Sequence, residues 1–265
     1  MAHASTLDDR SPGRVQGVER APGEPEGRCH ALAHRIDVPA LARASRRQRA
    51  DAAGGVDGVT KEPYGRELEA HLQGLHARLK APRYRHQPIR RVHIPKGQGK
   101  TRPIGISAFE DKLVQDAVRE GLEVIDEQDF LECSYGFRPG RSAHDAGRTL
   151  DQIVHRGEVE WILEADIVSF FDSLDRTELK RMLELRVADG SLLRLIGKCL
   201  HVGVLDGEAL SEPEMGTTQG SVLSPLLGNV YLHYVLDLWF ETEVKPRLRG
   251  KASLIRYCDG TPVQA

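Results

Sequence analysis

The 265-residue chain has no run of about 18 apolar residues, so no segment of it can span a bilayer as a helix. Its first 30 residues lack the apolar core of a secretory signal, which argues against export. Cysteine is scarce: Cys29, Cys133, Cys199 and Cys258 lie at least 59 positions apart and form no Cys-x-x-Cys. That is the pattern of free thiols in a reducing cytoplasm. No His-Glu-x-x-His occurs among the 11 histidines, and the helically spaced His30 and His34 have no third ligand near them in the sequence. Net charge of either sign is nearly absent, with 37 Lys+Arg against 39 Asp+Glu. The balance of −2 argues, on its face, against a nucleic-acid binder. Acids, however, are missing altogether from one place. The 40 residues between Glu69 and Glu110 contain none, and they hold Arg78, Lys80, Arg83, Arg85, Arg90, Arg91, Lys96, Lys100 and Arg102. That stretch is +9, which leaves −11 for the rest.

What is present suits a soluble globular protein: 40% apolar and 29% charged residues, in a length that allows one large domain or two small ones. Residues 1–30, rich in Pro, Gly and charge, are expected to be a disordered leader. Residues 31–50 read as a basic helix, followed by the glycine-rich turn Gly54 to Thr60. Leu68, Leu72, Leu75 and Leu79, spaced by 4, 3 and 4, mark one face of an amphipathic helix. The basic stretch predicts a hairpin, Ile89–Ile94 and Ile104–Ile106 about a turn at Lys96–Lys100, with Pro95 and Pro103 suited to an edge. Leu113, Val114, Ala117, Val118, Leu122 and Ile125 predict a core-facing helix, and Ala143–Val154 another after the loop Ser134–Ser142. Val159–Ile167 alternates as a strand and ends in Asp166 on its more polar side. A helix then starts at the cap Asp175, with Glu178 as capping-box partner and Leu174/Leu179 as staple. Gly216–Pro225 is a loop, Leu226–Phe240 an apolar helix, and Ser253–Asp259 a strand reaching a turn at Asp259-Gly260.

Three features carry possible chemistry. Asp166 ends a strand, with Asp172 six residues on. These carboxylates can be solvated, can form a glycosidase pair, or can hold a metal. Asp259 sits at a second strand-turn. Lys96 and Arg102 flank an acid-free, glycine-rich turn suited to gripping a polyphosphate. Acidic strand ends for Mg²⁺ together with a phosphate-gripping hairpin disfavour the glycosidase and point to two-metal nucleotidyl transfer.

The residues also match a family in order. Gly55-Val56-Asp57-Gly58-Val59-Thr60, Arg90 to Ile106, and Ser134-Tyr135-Gly136-Phe137-Arg138-Pro139-Gly140-Arg141-Ser142-Ala143-His144-Asp145-Ala146 resemble the fingers motifs of group II intron-encoded reverse transcriptases. Glu164-Ala165-Asp166-Ile167 through Asp172, Gly216 to Leu227, and Arg256-Tyr257-Cys258-Asp259 resemble the palm motifs, over about residues 40 to 260 in all. The resemblance implies an α+β fold of right-hand polymerase fingers and a partial palm, an antiparallel sheet with packed helices. It divides the chain into fingers at 31–155 and palm at 156–265, with the reverse transcriptase domain from about 75 to 265. By position it implies that Asp166 and Asp259, helped by the Ile167 carbonyl, hold Mg²⁺, and that Lys96 and Arg102 grip the incoming triphosphate. Phe171 becomes the gate that selects deoxynucleotides, and Gln219 lies near the templating pair. Arg90, Arg91, Lys100, Arg138 and Arg141 become contacts to nucleic acid. The implied partners are an RNA template, a DNA primer, dNTPs and group II intron RNA, in a bacterial cytoplasm and away from membranes.

Two departures shape the expectation. Gly260 stands where the family has a second adjacent aspartate, and Thr261 to Ala265 offer a short return strand with a proline in second place. The chain is therefore expected to be the amino-terminal part of such an enzyme, lacking thumb and maturase regions, with little or no activity alone. The alternatives are a non-enzymatic RNA-binding fragment and a retron, CRISPR-associated or defence reverse transcriptase.

Overall fold

The computed structural model describes residues 27–97, 99–156, 159–211, 215–217 and 220–264. The expected leader lies outside these up to residue 26, but its last residues are docked. Cys29 is buried, its amide donates to the Arg186 carbonyl at 2.7 Å, and its carbonyl accepts from Ala188 at 2.9 Å.

Helices build the first half. α1 (Val38–Arg47) is shorter than the basic helix expected, because Asp37 caps it, accepting from the Ala40 amide at 2.8 Å. α2 (Lys61–Gly65) leads to α3 (Leu68–Lys80), whose Leu72 and Leu75 are buried as their spacing predicts. The hairpin follows as β1 (Ile89–Gly97) and β2 (Lys100–Ile106), in register from Arg90↔Ile106 to Gly97↔Lys100 with an irregularity between Pro95 and Gly97. Its strands run longer and its turn is tighter than the sequence suggests. α4 (Phe109–Asp126) buries every apolar residue named for it. α1 lies along it, with Arg47 paired to Asp116 at 2.7 Å and to Glu120 at 2.6 Å. α5 (Ala143–Arg156) closes this half.

β3 (Ile162–Asp166) is the expected strand, trimmed at both ends. The short α6 (Phe170–Ser173) precedes α7 (Arg176–Arg186), and the Asp175 cap is borne out, its carboxylate accepting from Thr177 and Glu178 amides at 2.7 and 3.1 Å. α8 (Gly190–Leu200), β4 (Val204–Asp206) and β5 (Ala209–Ser211) come next. The first sheet has the order β2-β1-β4-β5, so Pro103 stands on an edge strand as expected, whereas Pro95 stands on the inner strand β1, beyond Ile89 and Arg90 where β4 pairs with it. α9 (Ser224–Leu232) continues through π-helical turns at His233–Asp237 and Phe240–Val244. These wider turns change which side chains face inward, and they bury Asp237.

The second sheet has the order β3-β7-β6, with β6 (Ser253–Leu254) and β7 (Gly260–Gln264). This corrects the expectation of a barely paired return strand. β7 pairs with β3 over five residues and with β6 over two. Pro262 is tolerated because β6 pairs only with Val263 and Gln264, so beside Pro262 the strand has β3 alone. One buried cluster runs from Cys29 to Leu232 and unites the helices of both halves except α5, whose Ala146 packs in a separate cluster with Tyr135 and Ile255. Among the described residues no helix is long and apolar enough to cross a membrane.

Candidate active site

The site is built where β3 meets β7. Alternation along β3 puts Asp166 at its end, and the register sets Asp166 directly opposite Gly260. The next rung is a hydrogen bond from the Ile167 amide to the Asp259 carbonyl, at 3.3 Å. Asp166, Ile167 and Asp259 thus come together at one end of an antiparallel pair. A Cβ placed on Gly260 would lie 3.7 Å from Asp166 Oδ1, so the first carboxylate leans over the position where a third would stand. Carboxylates and a backbone carbonyl are hard oxygen donors, a set that fits Mg²⁺, which commonly takes one or two carboxylates and completes its shell with water and phosphate. No cluster of three or more His, Cys, Asp or Glu is assembled for a metal among the described residues.

The turn itself differs from the one expected. Tyr257 and Gly260 exchange backbone hydrogen bonds of 3.0 and 3.2 Å, so the two turn residues are Cys258 and Asp259, and Gly260 begins β7. Cys258 takes the left-handed conformation, φ +60°, that a tight hairpin needs. Burial, with Asp259 beside it, pushes its thiol up to about 11.

Sequence reasoning missed what holds this turn. Arg256 is fully buried. Its guanidinium meets both Asp237 oxygens at 2.8 and 2.7 Å, Asn229 Oδ1 at 2.8 Å, Ser134 Oγ at 2.7 Å and the Cys258 carbonyl at 3.1 Å. Asn229 also donates to the Gly136 carbonyl at 2.7 Å, and Gly136 packs so closely that a Cβ there would lie 2.3 Å from the Cys258 nitrogen. The loop Ser134–Ser142 is therefore a wall of the turn. The signal for this was the position of Arg256 beside the Tyr257-Cys258-Asp259 motif, but an arginine in sequence looks like surface.

The basic residues divide. Lys96 and Arg102 are exposed on the two arms of the hairpin, Lys96 at its irregularity and Arg102 opposite Ile94. The Lys100 side chain and Gln219 lie outside what the structure describes. Phe171 is half-buried, its ring 5.2 Å from that of Phe170, and its carbonyl accepts from the Thr217 amide at 2.6 Å. That bond brings the start of the Gly216–Pro225 loop beside it. Arg138 corrects the reading of it as a phosphate contact. It is buried, pairs with Glu127 at 2.9 Å, and donates to the Leu131 and Ser134 carbonyls at 2.8 and 2.9 Å. Arg90 is similarly committed, donating to the Gly54 carbonyl at 2.7 Å. Arg141 donates to the Glu132 carbonyl at 2.9 Å and lies over the Tyr135 ring. Arg91 stays half-exposed, 3.8 Å from Asp206.

Two carboxylates at the end of one antiparallel pair and a basic hairpin in a second sheet give this chain the layout of polymerase fingers and palm. Residues 94–263 match the family described as reverse transcriptase (RNA-dependent DNA polymerase), and the chain belongs to that family. It is 40% identical over 182 residues to Protein YkfC of Escherichia coli (strain K12), covering 68% of this chain and 48% of that one. It is 41% identical over 175 residues to the group II intron-encoded protein LtrA of Lactococcus lactis subsp. cremoris, covering 64% of this chain and 29% of LtrA. These relatives bear out the resemblance to group II intron-encoded reverse transcriptases, and the chain spans half or less of their length. In fold it is similar to a chain of a partial Cas6-RT-Cas1–Cas2 complex, with TM-score 0.50 and 21% identity over 88% of this chain and 38% of that one.

Proposed function

We propose that this chain is the fingers and palm of an RNA-directed DNA polymerase of group II intron type, adding dNTPs to a DNA primer on an RNA template in a bacterial cytoplasm. The juxtaposition of Asp166 and Asp259 through the β3–β7 pair carries the reading. Asp166, Asp259 and the Ile167 carbonyl would hold Mg²⁺, which supplies charge neutralisation for the attacking and leaving oxygens of an in-line displacement. Lys96 and Arg102 bind the triphosphate by charge-assisted hydrogen bonds and draw negative charge toward the departing pyrophosphate. Phe171, anchored through its backbone to Thr217, stands against the sugar edge and excludes a 2′-hydroxyl. The intact protein would also take group II intron RNA as a partner. Gly260 leaves the site one carboxylate short, so extension by this chain is slow.

Primer extension by the full chain on an RNA template with Mg²⁺ and dNTPs tests the reading. The expected result is slow extension abolished in Asp166→Ala. Extension that survives Asp166→Ala, or none even after Gly260→Asp, overturns it.

A further inference from the structure

Gln115, in the middle of α4, is fully buried, yet it is the meeting point of three chain segments. Its Oε1 accepts from Ser221 Oγ and from the Val222 amide, both at 3.1 Å. Its Nε2 lies 2.8 Å from His86 Nε2 and donates to Ser107 Oγ at 3.2 Å. A backbone amide can only donate, so Val222 fixes which end of the carboxamide is oxygen. The nitrogen end then faces His86, whose Nε2 must accept. That tautomer is consistent with the other side of the ring, where Nδ1 donates to the Gln87 carbonyl at 2.7 Å and lies 3.4 Å from Asp111 Oδ2. Asp111 is itself held by the Tyr84 hydroxyl at 2.6 Å and the Gln87 amide at 3.0 Å. Every polar atom of the Gln115 side chain is thus committed, and reversing the amide would set donor against donor on Val222.

The three segments have distinct roles. His86 lies just before β1 and Ser107 just after β2, so together they are the root of the hairpin that carries Lys96 and Arg102. Ser221 and Val222 follow Gln219 and Gly220. Gly220 itself is pressed onto β2: with φ +97°, a Cβ there would lie 2.6 Å from the Gly105 carbonyl oxygen. The loop is pinned to the hairpin by backbone contact on one side and by Gln115 on the other.

We propose that Gln115, oriented by His86, is a positioning residue for nucleotide recognition: it ties the root of the phosphate-gripping hairpin to the loop that carries Gln219. The proposal rests on the polymerase reading for what the loop serves, but not for how the loop is held. Substituting Gln115→Leu removes both links. Gln115→Glu keeps an acceptor for Ser221 and Val222 while giving up the donor to His86. Ser221→Ala removes the bond to Gln115, and a long one of 3.4 Å from the Leu223 amide, at a partly exposed residue.

Hydrogen exchange of the full-length chain reads the holding directly. Gln115→Leu is expected to speed exchange of the Val222 amide at least about tenfold, or roughly 1.4 kcal/mol of local protection, with Leu122 in the same helix unchanged. Gln115→Glu restores most of the Val222 protection, and Ser221→Ala gives a smaller change of the same sign. Binding of a fluorescent dATP analogue with Mg²⁺ weakens in the order wild type, Ser221→Ala, Gln115→Leu. Val222 exchange that is unchanged, or that rises only together with Leu122, overturns the proposal. If Gln115→Leu fails to fold, Gln115→Glu and Ser221→Ala decide it by the same readout. Altered exchange with no analogue binding by any chain leaves the holding intact and counts against the polymerase reading instead.

Discussion

Arg256 and Asp237 form a bidentate pair with no solvent exposure on either side chain, three residues before Asp259. The pair reaches from a π-helical turn to the segment that leads from β6 into the Cys258–Asp259 turn, and the remaining guanidinium hydrogens are used on Asn229, Ser134 and Cys258. Removing one partner strands a buried charge. Arg256→Met is therefore expected to cost about 3–5 kcal/mol in urea unfolding, and adding Asp237→Leu to recover most of it. A double variant no more stable than the single one would show that the pair is not coupled.

Gly260→Asp is expected to strengthen the metal site. The Cβ position there has only ordinary contacts, at 3.7 Å from Asp166 Oδ1 and from the Tyr257 carbonyl. A carboxylate fits without moving the backbone, and calorimetric titration should show Mg²⁺ binding tightened by about tenfold. Unchanged affinity would mean that the added oxygens point away from Asp166.

Gly136→Ala is expected to push the Cys258–Asp259 turn outward. The new methyl would sit 2.3 Å from the Cys258 nitrogen and 2.7 Å from its sulfur, far inside contact distance. Overpacking of this kind costs about 1–3 kcal/mol, and here the strain falls on the residue beside Asp259. Reduced Mg²⁺ affinity with a modest loss in urea midpoint is the outcome to look for.

The buried Asp126 gives a pH dependence. Burial, with Asp129 beside it, raises its carboxyl from 3.8 to about 7, and its Oδ2 has no hydrogen-bond partner among the described residues. The folded state therefore binds a proton that the unfolded state releases near pH 4. Stability falls as pH rises from about 4 to about 7 and levels off above, by roughly 4 kcal/mol from this group. Asp126→Asn should remove that slope, so the variant gains on wild type between about pH 5 and about pH 8 in urea unfolding.

Local periodicity made much of this protein legible in its sequence. Leu72 and Leu75 declare their helix face, Asp175 its cap, and the alternation around Leu163 the strand that ends in Asp166. These features depend on neighbours a few residues away. The supports of the site do not. Gln115 meets Val222 across 107 positions and Arg256 meets Ser134 across 122, and neither distance leaves a trace in periodicity. Arg138 misled for the same reason: a conspicuous arginine in a loop reads as a phosphate contact until Glu127 and two carbonyls claim it. Asp259-Gly260 misled differently. It is a favoured hairpin pair, but the β3–β7 register needs Gly260 as the partner of Asp166 and moves the turn back to Cys258.

β3 has a further consequence for handling the protein. It is an outer strand of its sheet, with Leu163 62% exposed on it and Trp161 73% exposed just before it. An open strand edge with apolar neighbours invites other strands to add, and charges are the usual deterrent. Here Glu164 and Asp166 are those charges, both exposed. Asp166 is thus one of the two charges on this edge as well as the proposed metal ligand, and an Asp166→Ala control should be compared with wild type at matched monomer concentration, since it removes a guard against strand addition along with the proposed ligand.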